Sequence, residues 1–553
     1  MKKTRALALG MALLLGMSML FAACGAKTPQ NTSSAVSTSP AVSTAAGTEP
    51  LSGGMNAVEA ADEVGLSLIP SVKQFSAGEG SFVLTQNASI CVWGNDGAQT
   101  EELLKTGEYL AQRLRTATGY ALAIKAQKAP SDGDLFLTTA GGDAAQGEEG
   151  YFLQVTKRGV TVAAYTPQGV FYGMQTLRQL FPAQIEEQNT VTDVAWVMPC
   201  VEISDTPTYL WRGMMLDVAR HFFGIEDVKR VIDLLAQFKM NRLHLHLSDD
   251  QGWRIEIKAY PELTQFGANT AVGGDAGGYY TQEQYQQIVA YASERYVTVV
   301  PEIDMPGHVN AALASVAALN PSGECAKPRT DVEVGYSGFS CRSETTYVFV
   351  DAVLRELAAI TPGEYVHIGG DEAGDTSDAD YSYFMSRANG IAASYGKKTI
   401  GWSPFDTAEG VTESSVLQFW GQDPSQALKK GMKLIVSPPD RAYIDMKYDE
   451  QTPIGLKWAG YISTETSYSW SPLDYVPQSA VLGIECPLWT ETVRTMDDIE
   501  YLAFPRLLSH AEIGWTNDAQ RAWNEYRKRI AAFAPRLAAQ GVGYYEDPAV
   551  PWK

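Results

Sequence analysis

The feature that most limits how this chain can fold is an alternation of strands and helices that begins near residue 209. Short apolar runs with strand character recur at residues 214–218, 242–247, 297–303, 365–370, 398–402, 416–420, 433–436 and 480–485. Helical apolar spacing occurs at residues 226–238, 281–295, 345–360 and 381–395. Eight parallel strands alternating with helices over about 250 or more residues are typical of a TIM barrel. We therefore predict an α/β fold, with a (β/α)8 TIM barrel over residues 206–553.

A smaller domain is predicted to precede the barrel, over residues 66–205. Strand patterns occur at residues 71–75, 81–84, 135–137, 151–155 and 159–164, and helical patterns occur at 100–118 and 169–180. The first two strands flank a glycine-containing turn, and the last two predict a hairpin at Lys157-Arg158-Gly159. This mixture indicates an α+β domain. We find no catalytic constellation in it.

The N-terminus has the pattern of a secretory signal peptide, which we assign to residues 1–23. Basic residues precede an apolar run at residues 6–23. The run ends in Phe21-Ala22-Ala23-Cys24-Gly25, which resembles the lipobox of bacterial lipoproteins and implies a lipidated Cys24. Residues 24–65, rich in Ser, Thr, Ala and Pro, predict a disordered tether. We therefore expect an exported lipoprotein anchored to the bacterial membrane at the cell surface, with plain secretion as the alternative.

Charge and cysteine content exclude some classes of function. The net charge of −21 argues against a nucleic-acid partner, because such partners require a basic surface. None of the six cysteines forms a CxxC pair, so a zinc ribbon is not expected. Cys325 and Cys341 share a stretch rich in Gly, Pro and Ser and are a possible disulfide in an exported protein. Two unpaired thiols are the alternative.

Chemically active side chains follow nearly every predicted barrel strand. They fall within residues 217–222, 248–253, 304–308, 371–372, 443–445 and 485–491, while two further strands end at Trp402 and Trp420. Because the active sites of TIM barrels lie beyond the carboxyl ends of the strands, these side chains are expected to converge on one mouth. Acids, one arginine, one histidine and four tryptophans in one mouth favour a site shaped for a sugar.

His244 and His246 raise the separate possibility of a metal site. Their HxH spacing places both rings on one face of a strand, as in metal-dependent barrel hydrolases. The chain offers no evident lysine and second histidine pair to complete a binuclear site. We therefore favour packing inside the barrel, and we predict no metal and no organic cofactor.

Seven separated segments resemble motifs of the bacterial β-N-acetylhexosaminidases of glycoside hydrolase family 20. They are residues 212–223, 244–253, 301–308, 367–372, 418–420, 443–445 and 487–491, and they occur in the family's order. The resemblance extends from about residue 66 and includes the small domain before the barrel. It implies an exo-glycosidase that acts on glycans containing N-acetylhexosamine. The expected products are terminal β-linked N-acetylglucosamine or N-acetylgalactosamine, released with retention.

The same resemblance implies roles for five catalytic residues. Two adjacent carboxylates are poorly placed to straddle a sugar ring, and the family instead uses the substrate's acetamido group as the nucleophile. Glu372 is then the general acid and base, and Asp371 holds the acetamido N–H and stabilises the positive charge that develops. Tyr443 donates to the acetamido oxygen. His308 and Asp249 form a relay behind Glu372.

The remaining carried-over residues bind the substrate. Arg220 is expected to grip O3 and O4 of the terminal sugar, with Asp445 and Glu491 on its outer hydroxyls. Trp402, Trp420 and Trp489 are expected to wall the acetamido pocket and the sugar face, and Trp458 to serve a neighbouring sugar. Two positions depart from the family pattern. Ser403-Pro404 stands where an acid is common, and Cys486 stands where a small residue is usual.

Three alternatives remain open from the sequence. A lacto-N-biosidase of the same family releases a disaccharide instead of one sugar. A metal-dependent amidohydrolase would use His244 and His246. A non-catalytic sugar-binding lipoprotein would deliver glycans to a transporter, although such a protein has no need of a general acid. The natural glycan, the preference between the two aminosugars and the oligomeric state are left undetermined.

Overall fold

The computed structural model of the protein describes residues 67–552. The predicted signal peptide, the lipidated Cys24 and the tether lie outside these residues. The first described strands are Gln74–Val83 (β1), Ser89–Trp93 (β2), Ala123–Ala126 (β3), Leu135–Thr138 (β4), Tyr151–Thr156 (β5), Gly159–Ala164 (β6) and Val197–Asp205 (β7). They form one mixed sheet in the order β1-β7-β5-β6-β4-β2-β3. Helices Gly97–Thr118 (α1) and Pro167–Leu180 (α2) pack on this sheet.

The structure changes one prediction in this domain. The two strands expected at 71–75 and 81–84 are parts of the single strand β1, and both halves pair with β7. The glycine-containing segment between them shifts the register between Ala77 and Ser81, with Gly80 at a φ of +88°. It is therefore a bulge in one strand, where the sequence suggested a turn between two.

The barrel is closed and parallel, as predicted. Its strands are Trp211–Asp217 (β8), Arg242–His246 (β9), Thr298–Glu302 (β12), Tyr365–His367 (β13), Lys398–Trp402 (β14), Val416–Phe419 (β15), Lys433–Val436 (β16) and Val481–Leu488 (β17). A short hairpin of Ser248–Asp249 (β10) and Gly252–Trp253 (β11) lies just beyond β9. Strand β17 pairs with β8 and closes the ring. The (β/α)8 prediction, with a smaller α+β domain before it, is confirmed.

Helices connect the barrel strands. They are Ile225–Gln237 (α3), Glu262–Gln265 (α4), Gln282–Ser293 (α5), Asn310–Ser315 (α6), Glu344–Ile360 (α7), Asp378–Ser394 (α8), Ser425–Lys430 (α9), Pro439–Ala442 (α10), Thr464–Tyr468 (α11), Met496–Ala503 (α12), Arg506–Trp515 (α13) and Trp523–Ala539 (α14). Turns of 3-10 helix occur at Ala144–Gln146, Ala183–Glu186, Val272–Gly274, Ala317–Leu319, Phe405–Thr407, Pro472–Asp474 and Asp518–Gln520. The four helices predicted between barrel strands correspond to α3, α5, α7 and α8. Within residues 67–552, no helix is long and apolar enough to cross a membrane.

Helix α3 shows how these connections form. Asp227 in its first turn accepts a hydrogen bond from the backbone N–H of Gly224, and acidic residues in this position complement the helix dipole. Val228, Val231 and Ile232 recur at helical spacing and are buried in the hydrophobic core. Each such side chain contributes roughly 1.5–3 kcal/mol by its burial.

Buried polar contacts join the small domain to the barrel. The guanidinium of Arg212, on β8, donates to both carboxylate oxygens of Glu149, at 2.9 and 3.0 Å. Lys239 is fully buried and donates to the hydroxyl of Tyr151 on β5 at 3.0 Å. Because these charges are buried, separating the two side chains of a pair would leave a charge without its partner, which is strongly destabilising.

The possible disulfide between Cys325 and Cys341 is not formed. Both are free thiols. Cys325 is exposed on the loop after α6, whereas Cys341 is buried in the core and its thiol donates to the carbonyl of Phe339. The two residues therefore occupy different environments, an arrangement that favours the alternative of unpaired thiols.

Candidate active site

A sharp backbone turn places Asp371 and Glu372 at the mouth of the barrel. Strand β13 ends at His367, earlier than predicted, because Gly369 and Gly370 adopt φ values of +64° and +111°. A Cβ on Gly369 would lie 1.6 Å from an oxygen of Asp304, so this position accepts only glycine. Glu372 itself has a φ of +44°, a strained conformation of a kind that clusters at functional sites.

The two adjacent acids occupy different environments. The side chain of Glu372 is 38% exposed, whereas Asp371 is buried. Oδ1 of Asp371 has no hydrogen-bond partner within the described part of the chain. Burial, together with the negative charges of Glu302 and Glu372, raises the pKa of Asp371 to about 6, although the His308 ring opposes the shift. Asp371 is thus a buried acceptor that lacks a donor.

His308 and Asp249 lie behind Glu372 in the predicted order. Nε2 of His308 is 3.4 Å from Oε2 of Glu372, and Nδ1 of His308 is 3.1 Å from Oδ1 of Asp249. Burial opposes a charge on His308, but Asp249 outweighs it and holds the pKa of His308 well above its usual range. Burial likewise opposes ionisation of Asp249, and the cations of Arg220 and His308 hold its pKa well below the usual range. The relay is therefore an ion pair that points at Glu372.

The predicted aromatic residues lie around the same mouth. The rings of Trp402 and Trp489 are 5.9 Å apart. The ring of Trp458 packs edge-on against Tyr443 at 5.7 Å and against Trp420 at 6.5 Å. Trp402 and Tyr443 are buried, whereas Trp458 is 55% exposed. Two rings of the site are thus packed inside the protein, and one aromatic face at its rim is open to solvent.

Arg220, Asp445 and Glu491 form a polar end of the site, in which Arg220 and Asp445 are buried and Glu491 is partly buried. Nη2 of Arg220 is 2.7 Å from Asp249, and its guanidinium lies over the Trp489 ring at 4.8 Å. Nη1 of Arg220, both carboxylate oxygens of Asp445 and Oε2 of Glu491 have no hydrogen-bond partner among residues 67–552. Burial, then Glu491, raises the pKa of Asp445 well above its usual range. Since native proteins seldom leave buried polar atoms unpaired, this cluster is suited to a ligand with several hydroxyl groups.

The two departures from the family pattern do not disturb these groups. The backbone carbonyl of Ser403 accepts a hydrogen bond from the indole of Trp420 at 2.8 Å, and so holds one pocket wall. Cys486 is buried, and its thiol faces the carbonyl of Gly213.

Sequence reasoning assigned no role to two buried acids at the end of the third barrel strand. Glu302 contacts the rings of His244, His246 and Trp402. Asp304 accepts from the backbone N–H of Gly370, and burial and Asp371 raise its pKa well above the usual range. The sequence signal that could have singled out Glu302 is a carboxylate at an inward-facing position of an otherwise apolar strand.

His244 and His246 lie inside the barrel, each between carboxylates. His244 contacts Glu302 and Glu485, and His246 contacts Glu302 and Asp249. Potential metal-ligand atoms of His244, Glu302 and His367 lie within 4.8 Å of one another. Both nitrogens of His244 already face carboxylate oxygens, so a metal ion would have to displace these contacts.

A cavity of about 840 Å³ lies at the opposite end of the barrel. It is lined by residues at the starts of strands, among them Arg242, Thr298 and Gly363, and by Glu148 and Glu149 of the small domain. None of the residues assigned to catalysis or sugar binding lines it.

Comparison with known proteins identifies the family. Residues 209–378 and 374–518 match the catalytic domain of glycosyl hydrolase family 20, and residues 65–206 match domain 2 of that family. A β-N-acetylhexosaminidase of Cellulomonas fimi is 38% identical over 481 residues, which cover 85% of this chain and 94% of that protein.

Solved structures agree with this assignment. The family 20 β-N-acetylhexosaminidase of Streptomyces coelicolor A3(2) has a TM-score of 0.84 and 45% identity, covering 89% of this chain and 99% of its own. An exo-β-N-acetylglucosaminidase of Vibrio harveyi, solved with N-acetylglucosamine, has a TM-score of 0.76 and 28% identity, covering 89% and 79%. The chain belongs to glycoside hydrolase family 20.

Proposed function

We propose that this protein hydrolyses terminal β-linked N-acetylglucosamine or N-acetylgalactosamine from glycans, with retention and with the substrate's own acetamido group as the nucleophile. The observation that carries the proposal is that the adjacent acids Asp371 and Glu372 lie in different environments. The side chain of Glu372 is 38% exposed and faces His308, whereas Asp371 is buried and its Oδ1 has no hydrogen-bond partner among residues 67–552. Acids that are neighbours in the chain are poorly placed to attack from one face of a sugar and protonate from the other.

The first step of this mechanism breaks the glycosidic bond. The acetamido oxygen attacks C1 and forms a C–O bond, while the bond from C1 to the leaving oxygen breaks. The proton of Glu372 passes to that oxygen, and the imidazolium of His308 stabilises the carboxylate left behind. The product of the step is an oxazolinium ion on the sugar.

Asp371 and Tyr443 serve the nucleophile. The acetamido N–H is the donor that Oδ1 of Asp371 lacks, and the negative carboxylate stabilises the positive charge as it develops. The hydroxyl of Tyr443 donates a hydrogen bond to the acetamido oxygen and orients it for attack on C1. Burial raises the pKa of Tyr443 well above its usual range, so the hydroxyl stays protonated and remains a hydrogen-bond donor.

The second step restores the enzyme. Glu372 takes a proton from water, the water oxygen bonds to C1, and the bond from C1 to the acetamido oxygen breaks. Two inversions at C1 give the β-anomer of the free sugar, which is net retention.

The shape of the site favours removal of one sugar at a time. Arg220 and Asp445 are buried, Glu491 beside them is partly buried, and the three would bind the hydroxyls of the terminal sugar, which leaves little room behind it. The exposed ring of Trp458 lies at the open rim, where a leaving sugar would stack. This arrangement supports a hexosaminidase over a lacto-N-biosidase, because a biosidase must accommodate a second sugar beyond the terminal one.

Hydrolysis of chromogenic N-acetyl-β-glucosaminide and N-acetyl-β-galactosaminide tests the proposal. Product sizing on an oligosaccharide distinguishes single-sugar from disaccharide release, and NMR of the first product gives its anomer. Turnover that is lost with a chelator would support an amidohydrolase that uses His244 and His246. Binding of aminosugar glycosides without turnover would support a transport lipoprotein.

The role of Glu372 has a separate test. We expect Glu372→Gln to lower kcat on an alkyl glycoside by about 10²–10⁴-fold, the range of general acid–base catalysis. Glu364→Gln, on the exposed side of the barrel at an ion pair with Lys398, is the matched control and should leave activity unchanged. Full activity in Glu372→Gln would remove this residue from the mechanism.

We also propose export and anchoring through a lipid on Cys24. These residues lie outside the described structure, so the proposal rests on the sequence alone. Its support is the lipobox-like sequence and the Ser/Thr/Ala/Pro-rich stretch after it. Expression of the full chain in a bacterial host should place it in the membrane fraction, and Cys24→Ser should release it. Cys325→Ser is the matched control. Membrane association that persists in Cys24→Ser would contradict the proposal.

A further inference from the structure

Glu302 is a fully buried carboxylate at the end of β12, and the mechanism above gives it no step. Its Oε2 lies 2.5 Å from Nδ1 of His246 and 3.0 Å from Nε2 of His244. Its Oε1 accepts from the indole N–H of Trp402 at 2.8 Å, and Nδ1 of His367 lies 3.0 Å from the same oxygen. One carboxylate thus holds four rings inside the barrel.

One set of contacts leads from Glu302 to the catalytic acid, and we call it the acid arm. Nε2 of His246 is 2.9 Å from Oδ2 of Asp249, whose other oxygen contacts His308. His308 in turn faces Glu372. The acid arm therefore alternates carboxylates and imidazoles: Glu302, His246, Asp249, His308 and Glu372. Its last step is a 3.4 Å ion-pair contact without a hydrogen bond.

A second set of contacts leads to the wall of the acetamido pocket, and we call it the pocket arm. The indole of Trp402 is fixed by its bond to Glu302 and lies beside Trp489. Trp489 also packs edge-on against His246 at 4.9 Å, so the two arms touch. A shift of Glu302 would therefore reach both the proton donor and the pocket.

The charges along the acid arm are complementary. Burial opposes ionisation of Glu302, but the rings of His367, His246 and His244 outweigh it and hold the pKa of Glu302 well below its usual range. Burial also opposes a charge on His246, yet Glu302 and Asp249 hold its pKa well above its usual range. His246 is thus a cation held between two anions, and charge-assisted hydrogen bonds of this kind are among the strongest in proteins.

We propose that Glu302 and His246 are positioning residues for this hydrolysis, and that Glu302 couples the alignment of the acid Glu372 to the shape of the acetamido pocket. The inference rests on the proposed function. Its physical basis is that a carboxylate accepts hydrogen bonds on both oxygens at once, which an amide does not. Catalytic groups must be held to within about 0.5 Å, and supporting residues provide that precision.

Glu302→Gln tests the coupling because the glutamine amide has one hydrogen-bond-accepting oxygen, whereas the carboxylate has two. The amide oxygen would face the two donors of His246 and His244, which leaves the NH2 group against the indole N–H of Trp402. The bond to His246 also loses its negative partner. Glu485→Gln is the matched control, since Glu485 is as buried and holds His244, Gln418 and Trp211 but belongs to neither arm.

Two readouts separate the arms. For the acid arm, kcat/KM is measured on N,N′-diacetylchitobiose, whose leaving sugar needs a proton, and on a 2,4-dinitrophenyl N-acetyl-β-glucosaminide, whose leaving group does not. We expect Glu302→Gln to lose about 30-fold on the first and less than about 5-fold on the second. For the pocket arm, the inhibition constant of N-acetylglucosamine should rise about 10-fold. Glu485→Gln should alter neither the ratio nor the inhibition constant.

Each outcome decides the inference. The inference is supported if Glu302→Gln shows both the larger loss on chitobiose and the raised inhibition constant, and if Glu485→Gln shows neither. A uniform loss on both substrates, or only one of the two signatures, overturns the coupling. If the wild-type enzyme releases the α-anomer, the proposed function fails and the inference with it. If the wild-type enzyme retains configuration but Glu302→Gln behaves like Glu485→Gln, the inference alone fails.

His246 variants keep the inference testable if Glu302→Gln does not fold. An asparagine side chain places its amide nitrogen near the position of Nδ1 and keeps the bond to Glu302, whereas glutamine reaches toward Asp249 and gives up Glu302. If His246 acts by bridging the two, both His246→Asn and His246→Gln should show the leaving-group-dependent loss. A normal substrate ratio in either variant overturns the role of His246.

Discussion

At the scale of single residues, the site contains carboxylates that are costly to bury and whose neighbouring cations offset that cost only in part. Asp371 is the clearest case, because its pKa of about 6 means that the folded protein resists its ionised form. The same ionised form is the one that the mechanism requires. We therefore expect function and stability to oppose each other at this residue.

The stability effect of Asp371 follows from the sign of its shift. The folded-state pKa lies above the unfolded value, so the folded state binds the extra proton between pH 4 and about 6, and ionised Asp371 destabilises the fold above that range. Asp371→Asn should therefore raise the free energy of unfolding at pH 7.5 by about 2–3 kcal/mol. The gain should disappear near pH 4. Denaturant unfolding of both proteins at the two pH values is the measurement, and equal stability at pH 7.5 would contradict the assigned shift.

The catalytic effect of the same substitution has the opposite direction. Asp371→Asn should lower kcat by about 10²–10³-fold, because in the proposed mechanism it removes the charge that stabilises the oxazolinium ion. In the wild-type enzyme kcat/KM should fall as the pH drops through about 6, where Asp371 takes up a proton. That acidic limb should be absent from the residual activity of Asp371→Asn. A limb that remains at the same pH would assign it to another group.

Trp458 gives a prediction about the leaving group. Because its ring is exposed at the rim, Trp458→Ala should leave the free energy of unfolding within about 0.5 kcal/mol of wild type. It should lower kcat/KM about 10-fold on chitobiose, which has a second sugar to stack, and little on a small aryl glycoside. Leu473→Ala, exposed elsewhere on the surface, is the control for substrate-independent effects. Equal losses on both substrates would contradict a stacking role.

At the scale of secondary-structure elements, the sequence predicted the barrel well because its strands and helices have distinct periods. Strands β14 and β16 have the predicted bounds, and most other barrel elements differ by a few residues at their ends. Errors arose where backbone conformation decided the outcome. The glycines near Ala77 make a bulge and not a turn, and those after His367 end β13 early.

The grouping of the candidate site residues was also predictable, because it depends on the positions of the same strands. Residues that follow strands are visible in a sequence, so Asp371, Glu372 and the tryptophans could be grouped before any coordinates. Their roles stay predictions that the proposed experiments test. Glu302 could not be singled out, because its importance comes from four partners on three other strands.

The turn between β13 and Asp371 yields a prediction at this scale. Gly369→Ala should lower kcat at least about 100-fold, because the new Cβ meets Asp304 and displaces the turn that carries both acids. Gly390→Ala is the matched control, since Gly390 lies inside α8 with open space around it. That substitution should stabilise the protein by about 0.5–1 kcal/mol and keep full activity. Activity near wild type in folded Gly369→Ala would show that the turn tolerates displacement.

At the scale of the whole molecule, buried ion pairs cross between the small domain and the barrel. The guanidinium of Arg212 is surrounded by Glu149, Tyr172 and Trp515 and has no access to water. This contact lies on β8, whose other end leads to Arg220 at the mouth. The small domain thus supports the barrel at the end opposite the catalytic residues.

Removing the carboxylate at this joint should be far more costly than removing one at the surface. Glu149→Gln leaves the buried guanidinium of Arg212 without its counter-charge, and breaking a buried pair in this way typically costs about 3–5 kcal/mol. Asp132→Asn removes an ion pair of the same 2.9 Å length to Arg158, but both side chains are largely exposed, so its cost should stay below about 1 kcal/mol. Denaturant unfolding measures both. Because Glu149 lies far from the mouth, kcat of the folded Glu149→Gln protein should equal that of wild type. A loss of kcat without a loss of stability would mean that the small domain takes part in catalysis directly.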